Sequence, residues 1–243
     1  MLNLEHVKWS LRNGENIIKD VTLNIDEKKL IVVTGPNGGG KTTLAKLIAG
    51  VEMPQSGKIF FDGQDITQTD ITTRARLGIA YAFQQPVRFK GITVRDMLEL
   101  AAGKSLCHGE ICELLSKVGL CADEYVDREL SASLSGGESK RIEIASVLAR
   151  SAKLSVFDEP EAGIDLWSFS RLVQTFEDLR QKHEGTLLII SHQERILSIA
   201  DEIVVVANGQ VRAVGPREEI LPTLLSGERV ARCPQGKEVA CRE

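Results

Sequence analysis

The run Gly35-Pro36-Asn37-Gly38-Gly39-Gly40-Lys41-Thr42 has the composition of a loop that meets phosphate. Glycines let successive backbone N–H groups turn inward around anionic oxygens. A helix opening after them adds the positive end of its dipole. Gly35, Gly40, Lys41 and Thr42 fit the pattern GxxxxGK[ST]. In that pattern the lysine reaches the β- and γ-phosphates and the hydroxyl ligates Mg²⁺. A tight loop with no ligand also uses glycine, so the flanks decide. KLIVVT (29–34) precedes the loop as the apolar run of a buried strand. TTLAKLIA (42–49), which includes Thr43, follows with helical spacing and ends at Gly50.

Two further places carry candidate chemistry. LSVFDE (154–159) reads as a buried strand ending in two carboxylates. Beside a phosphate loop, Asp158 would help hold Mg²⁺, through a water, and Glu159 would polarise an attacking water as general base. Alone, the pattern is only an acidic turn. In LSGGE (134–138) Ser135 is a good helix N-cap, and Gly136 and Gly137 let a phosphate approach the helix end. Alone, that is an ordinary helix start.

The elements that must position these residues alternate. Leu2, Leu4 and His6, then Val21, Leu23 and Ile25, have strand spacing. Gly57–Asp62 reads as a strand with a turn at Asp62-Gly63. Residues 87–150 turn mostly helical, with amphipathic spacing over 93–102 and 109–118 and a long helix over 138–149. Strands return at 154–158, 186–191 and 202–206, with a helix over 168–183 that starts after Trp167. Buried strands alternating with helices imply a layered α/β core, with the helical stretch inserted into it. From about Leu225 the chain loses its apolar period and reads as a loose tail.

Composition narrows the function. The 243 residues carry a net charge of −4, without the basic excess of a nucleic-acid binder. No apolar run nears the roughly 20 residues of a membrane span, and the N-terminus lacks a signal-peptide layout. A cytoplasmic protein without membrane insertion of its own is expected. Five cysteines, an odd number with no CxxC pair, read as reduced thiols. The sharper alternative is a metal or cluster site from Cys233 and Cys241, whose spacing fits no zinc or iron–sulfur motif.

GPNGGGKT (35–42), LSGGE (134–138) and VFDE (156–159), in that order, resemble the ATP-binding-cassette (ABC) ATPases over roughly residues 2–220. The resemblance implies a P-loop NTPase (RecA-like) α/β core, residues 1–86 and 151–224, with an antiparallel β-subdomain. An inserted α-helical subdomain would span 87–150. One ATPase domain would then cover 1–224, ahead of a tail at 225–243. It implies ATP and Mg²⁺ as ligands. Gln84 matches the Q-loop glutamine that touches Mg²⁺ and senses the γ-phosphate, with Gln85 the adjacent choice. AGID (162–165) resembles the D-loop, ending at Asp165, and His192 matches the switch histidine at the γ-phosphate. The family's adenine-stacking aromatic has one candidate, Trp9, equally readable as a packed strand residue. The implied mechanism is a head-to-tail dimer in which Ser135 and Gly137 of one chain bind the γ-phosphate of ATP held by the other.

AFQQPV (82–87), SGGESKRI (135–142) and DEPEAGIDLWSF (158–169) further resemble SufC-like ATPases of the Suf iron–sulfur cluster assembly system. The last stretch is similar to forms that accompany a single SufB-like scaffold, and it departs from the bacterial form ending in SGLDIDAL. The expected partner is therefore a SufB-like scaffold. The alternative is the ATP-binding subunit of a membrane transporter. A non-catalytic module is disfavoured because Glu159 is retained.

Overall fold

The computed structural model describes residues 1–84, 89–131 and 134–227. Gln85, Cys233 and Cys241 lie outside them. The chain opens with strands β1 (Leu2–Ser10), β2 (Asn16–Ile25) and β3 (Leu30–Thr34). Helix α1 (Lys41–Ala49) follows, then β4 (Ser56–Phe61), β5 (Gln64–Asp65), α2 (Ile71–Leu77) and β6 (Ile79–Ala82). Four helices come next: α3 (Val94–Ala102), α4 (His108–Lys117), α5 (Ala122–Tyr125) and α6 (Gly136–Ala149). The remainder alternates as β7 (Leu154–Asp158), α7 (Leu166–Gln181), β8 (Thr186–Ile190), α8 (Glu194–Leu197), β9 (Glu202–Ala207), β10 (Gln210–Pro216) and α9 (Arg217–Gly227).

Among the described residues the strands form one sheet in the order β5-β4-β1-β2-β10-β9-β3-β8-β7-β6. Strands β9, β3, β8, β7 and β6 run parallel. Strands β1, β2, β4 and β5 pair antiparallel. The two parts meet where β10 pairs with β2 at Gln210 and Asp20.

β3 shows why its sequence is continuously apolar. Leu30 and Val32 face one core, with Phe157, Leu187 and Ile189. Ile31 and Val33 face the other, with Val156, Leu188 and Ile190. A strand covered on both faces has no polar side to show, and each such side chain contributes roughly 1.5–3 kcal/mol by burial. Helix α1 lays Leu44, Leu47 and Ile48 on the second core. Helices α3 to α6 enclose the first core beyond the sheet edge, through Leu98, Ile111, Leu115 and Ile142.

Several elements differ from their sequence reading. The alternation of β1 breaks at His6, which has φ 49 and lies on the exposed side of an irregularity in the β1–β2 register. The extra residue puts Val7, not His6, into the core. Helix α7 starts at Leu166, so Trp167 lies inside its first turn. The start is set by Asp165, whose carboxylate caps the N–H groups of Trp167 and Ser168. Strand β8 stops at Ile190, one residue before Ser191. Helix α9 carries the chain past Leu225 to Gly227. The turn at Asp62-Gly63 has φ 50 and 79, the two positive values of a tight hairpin between β4 and β5.

Candidate functional site

The phosphate-type loop joins β3 to α1. Gly35 has φ +132, and a Cβ there would lie 2.0 Å from the Val206 carbonyl oxygen. No other residue fits that approach. Lys41 is 5% exposed. Its Nζ donates to the carbonyls of Gly35 at 2.7 Å and Pro36 at 3.0 Å, arching the loop over its ammonium. Burial holds the Lys41 pKa below the usual lysine value, against the opposing pull of Glu159 and Asp158.

Neighbouring parallel strands deliver the other groups, because ligand sites in such sheets form at the carboxyl ends of the strands. β7 ends at Asp158, fully buried, whose carboxylate accepts from the Thr42 hydroxyl at 3.1 Å and the Tyr81 hydroxyl at 3.1 Å. Burial raises the Asp158 pKa, and the two hydroxyls oppose it. Glu159 follows with φ 47, a left-handed conformation uncommon for a residue other than glycine. Its N–H is fixed to the Ile190 carbonyl at 3.0 Å. β6 leads to Gln84, whose Nε2 donates to Glu159 Oε2 at 2.7 Å. β8 leads to Ser191 and His192. Burial and the nearby Lys41 charge lower the His192 pKa, which keeps the imidazole neutral at neutral pH.

An open pocket here is lined by Ile17, the loop from Asn37 to Thr43, Gln84 and Glu159. Ser135, Gly136, Gly137 and Asp165 do not line it. Trp9 pairs with Ile18 and packs half-buried against the second core. Ile17, on the adjacent strand, is the residue at the pocket wall.

The LSGGE segment starts α6. The Ser135 hydroxyl accepts from the Glu138 N–H at 3.2 Å, and the Glu138 carboxylate accepts from the Ser135 N–H at 2.7 Å. This reciprocal cap satisfies two orphan donors. Arg141, one turn in, donates to the Ser168 hydroxyl at 2.9 Å, and Ser168 donates to Asp165 at 2.6 Å. A Cβ on Gly137 would sit 2.7 Å from the Gly163 carbonyl oxygen. The starts of α6 and α7 are thus joined within the chain.

Sequence reasoning missed several groups. Tyr81, on the four-residue β6, had no legible role until it met Asp158. Glu161 accepts from the Ser191 hydroxyl at 2.5 Å and lies beside His192. Its only signal was its place two residues after Glu159. Lys140 and Glu143, buried on α6, grip the chain just before Gln84. No sequence pattern marks a buried lysine. Among the described residues no group of three or more His, Cys, Asp or Glu side chains is placed to hold a metal ion, and Cys107, Cys112 and Cys121 are free and exposed.

The ABC transporter family model matches residues 18–162. The chain is 39% identical over 217 residues to an uncharacterized ABC transporter ATP-binding protein of Methanocaldococcus jannaschii, covering 86% of each. It is 30% identical to the lipopolysaccharide export system ATP-binding protein LptB of Haemophilus influenzae, over 98% of each chain. The ATP-binding cassette MJ0796, solved as a dimer in a post-hydrolysis state with ADP and Pi, superposes with a TM-score of 0.80. At 22% identity, covering 89% of this chain and 99% of that one, it speaks for the fold. The chain belongs to the ABC transporter family and is an ATP-binding-cassette ATPase.

Proposed function

We propose that this ATPase is the ATP-binding subunit of a membrane transporter, working as a head-to-tail pair of chains. The observation that carries the ATPase part is the convergence of Thr42, Asp158, Gln84 and Glu159 under one glycine loop. Lys41 and the loop from Gly35 to Thr43 take the phosphates. Glu159 polarises the attacking water and His192 contacts the γ-phosphate. Thr42, Asp158 and the Gln84 side-chain carbonyl are hard oxygen donors of the kind Mg²⁺ takes, and the 3.1 Å approach of the first two fits a shared ion. Bound Mg²⁺ supplies neutralisation of phosphate charge.

Ser135, Gly136, Gly137 and Asp165 complete the site of the second chain. This is supported by the exposure of Ser135, Gly136 and Asp165 at the outward-facing starts of two joined helices. Residues 1–224 act as one ATPase unit, with 87–150 as its helical part. The membrane partner is supported by relatives that serve transport systems, such as the one for lipopolysaccharide export. Among the described residues no helix is long and apolar enough to cross a membrane, so the span would belong to the partner. Cytoplasmic placement follows from that reading. A second reading, a SufB-like scaffold of iron–sulfur assembly, is favoured by 135–142 and 158–169, whose sequence resembles SufC-like ATPases.

Mixing Lys41→Ala chains with Ser135→Arg chains tests the shared site. Each is expected to be inactive alone, and the mixture to regain activity through one intact site per heterodimer. A mixture as inactive as its parts counts against the shared site. Pull-down of the tagged chain separates the partners. A polytopic membrane protein supports the transporter, and a soluble β-helical scaffold supports the second reading.

A further inference from the structure

Lys140 and Glu143 are an unusual pair to find inside a helix-packed core. Lys140 is 1% exposed and Glu143 8%. They stand one turn apart on α6, and they take hold of the two peptide groups that flank the Phe83 Cα. Glu143 Oε1 accepts from the Phe83 N–H at 2.8 Å. Lys140 Nζ donates to the Phe83 carbonyl, and at 3.3 Å to the Gln84 carbonyl. Glu143 Oε2 faces Lys140 Nζ at 3.6 Å and accepts no hydrogen bond. Glu143 borders a mostly apolar cavity, with Phe83, Phe89, Met97, Leu130 and Ile142 among its walls. Burying an ion pair there adds little or no stability over apolar residues of the same size. What it adds is direction: the two peptides on either side of Phe83 are pinned to one helix.

Gln84 is the next residue, and it touches Glu159 at 2.7 Å. We propose that Lys140 and Glu143 are positioning residues, which hold Phe83 by its N–H and its carbonyl and thereby set where Gln84 stands relative to Glu159. The inference rests on the reading of Gln84 and Glu159 as ATPase residues given above. It also gives α6 a task. The helix begins at Ser135–Gly136, so a displacement at that end is carried one turn to Lys140 and from there to Gln84. Whatever engages the LSGGE segment is thereby reported to the chain's own site.

The test is the set Lys140→Met, Glu143→Met and the double variant, each measured for Tm, ATP affinity and kcat. Each single variant leaves one buried charge unpaired and lowers Tm. The double variant leaves none, so its Tm exceeds that of either single. Its kcat stays about tenfold to a hundredfold down, as misplacement of a positioning group costs, with ATP affinity unchanged. If kcat recovers along with Tm, or never falls, the pair is structural and the inference fails. A Glu159→Gln control with normal turnover instead removes the reading underneath it. Hydrogen exchange on the unaltered protein stands independent of variant folding. The Phe83 amide should be protected in the nucleotide-free protein, and free exchange there overturns the clamp.

Discussion

Gly35 and Gly136 both stand where a glycine-rich segment leads to a helix. Around Gly35 the chain closes on itself: Val206 leaves no room for a Cβ, φ is +132, and Lys41 is folded under the loop. Around Gly136 it opens. A Cβ there meets nothing within 4 Å, and Ser135 and Gly136 are exposed. The first segment is a finished concavity in which Gly35, Gly39 and Gly40 are fixed by sterics. The second is a capped helix end presented outward, and only Gly137, against Gly163, is sterically committed. Similar composition therefore serves a pocket in one place and a contact face in the other.

The largest way to break this contrast is Gly35→Ala. Collision with the Val206 carbonyl at an unfavourable φ should cost more than about 4 kcal/mol and abolish ATP binding. Denaturant unfolding and nucleotide titration check it, and a stable, ATP-binding variant would show the loop to be looser than described. Glu159→Gln should bind ATP yet lose about 10²-fold or more in hydrolysis. Single-turnover assays decide, and near-normal turnover removes Glu159 as the base.

Smaller effects belong to the outward face. The Tyr125 hydroxyl first, then Ser135, hold the Glu138 carboxyl down at about 2, from an ordinary 4.5. A depressed folded pKa means stability that is full above about pH 4.5 and lost as pH falls toward 2. Glu138→Gln keeps the cap but not the charge, and a charge at a helix N-terminus contributes about 0.3–1 kcal/mol. Thermal melts should therefore separate the two proteins at pH 7 and bring them together in acid. A constant gap would assign the difference to shape instead. The smallest stability effect is that of Gly136→Ala, neutral or stabilising by up to about 1 kcal/mol. Its hydrolysis should nonetheless fall if Gly136 meets a phosphate of a second chain, and unchanged turnover would argue against that contact.

Much of the framework was legible because the central strands are buried on both faces. KLIVVT, LSVFD and TLLII stand out as short apolar runs. β6 and β10 did not stand out. β6 is four residues, two of them alanine, and β10 has no fully buried residue to mark a face. Helix α2 is mostly polar, and its one buried side chain is Arg74. That guanidinium donates to the carbonyls of Leu47, Ile48, Ile66, Thr67 and Thr69, and burial brings its pKa down to about 10. A charged residue with carbonyl partners drawn from two separate segments leaves no periodic trace. The start of α7 was misplaced because Trp167 reads as a boundary only until Asp165 is recognised as the cap.

The sequence by itself determined the local chemistry: a loop that only glycines can form, a lysine and threonine at a helix start, and two acids at a strand end. Those follow from backbone sterics and spacing within a few residues. The tertiary structure decided which groups meet. Thr42 and Asp158 are brought together because β3 and β7 flank β8, and Glu159 finds Gln84 because β6 lies beside β7. It also decided that Lys140 turns inward to grip Phe83, which no spacing encodes, since a buried charge depends on partners supplied by distant segments.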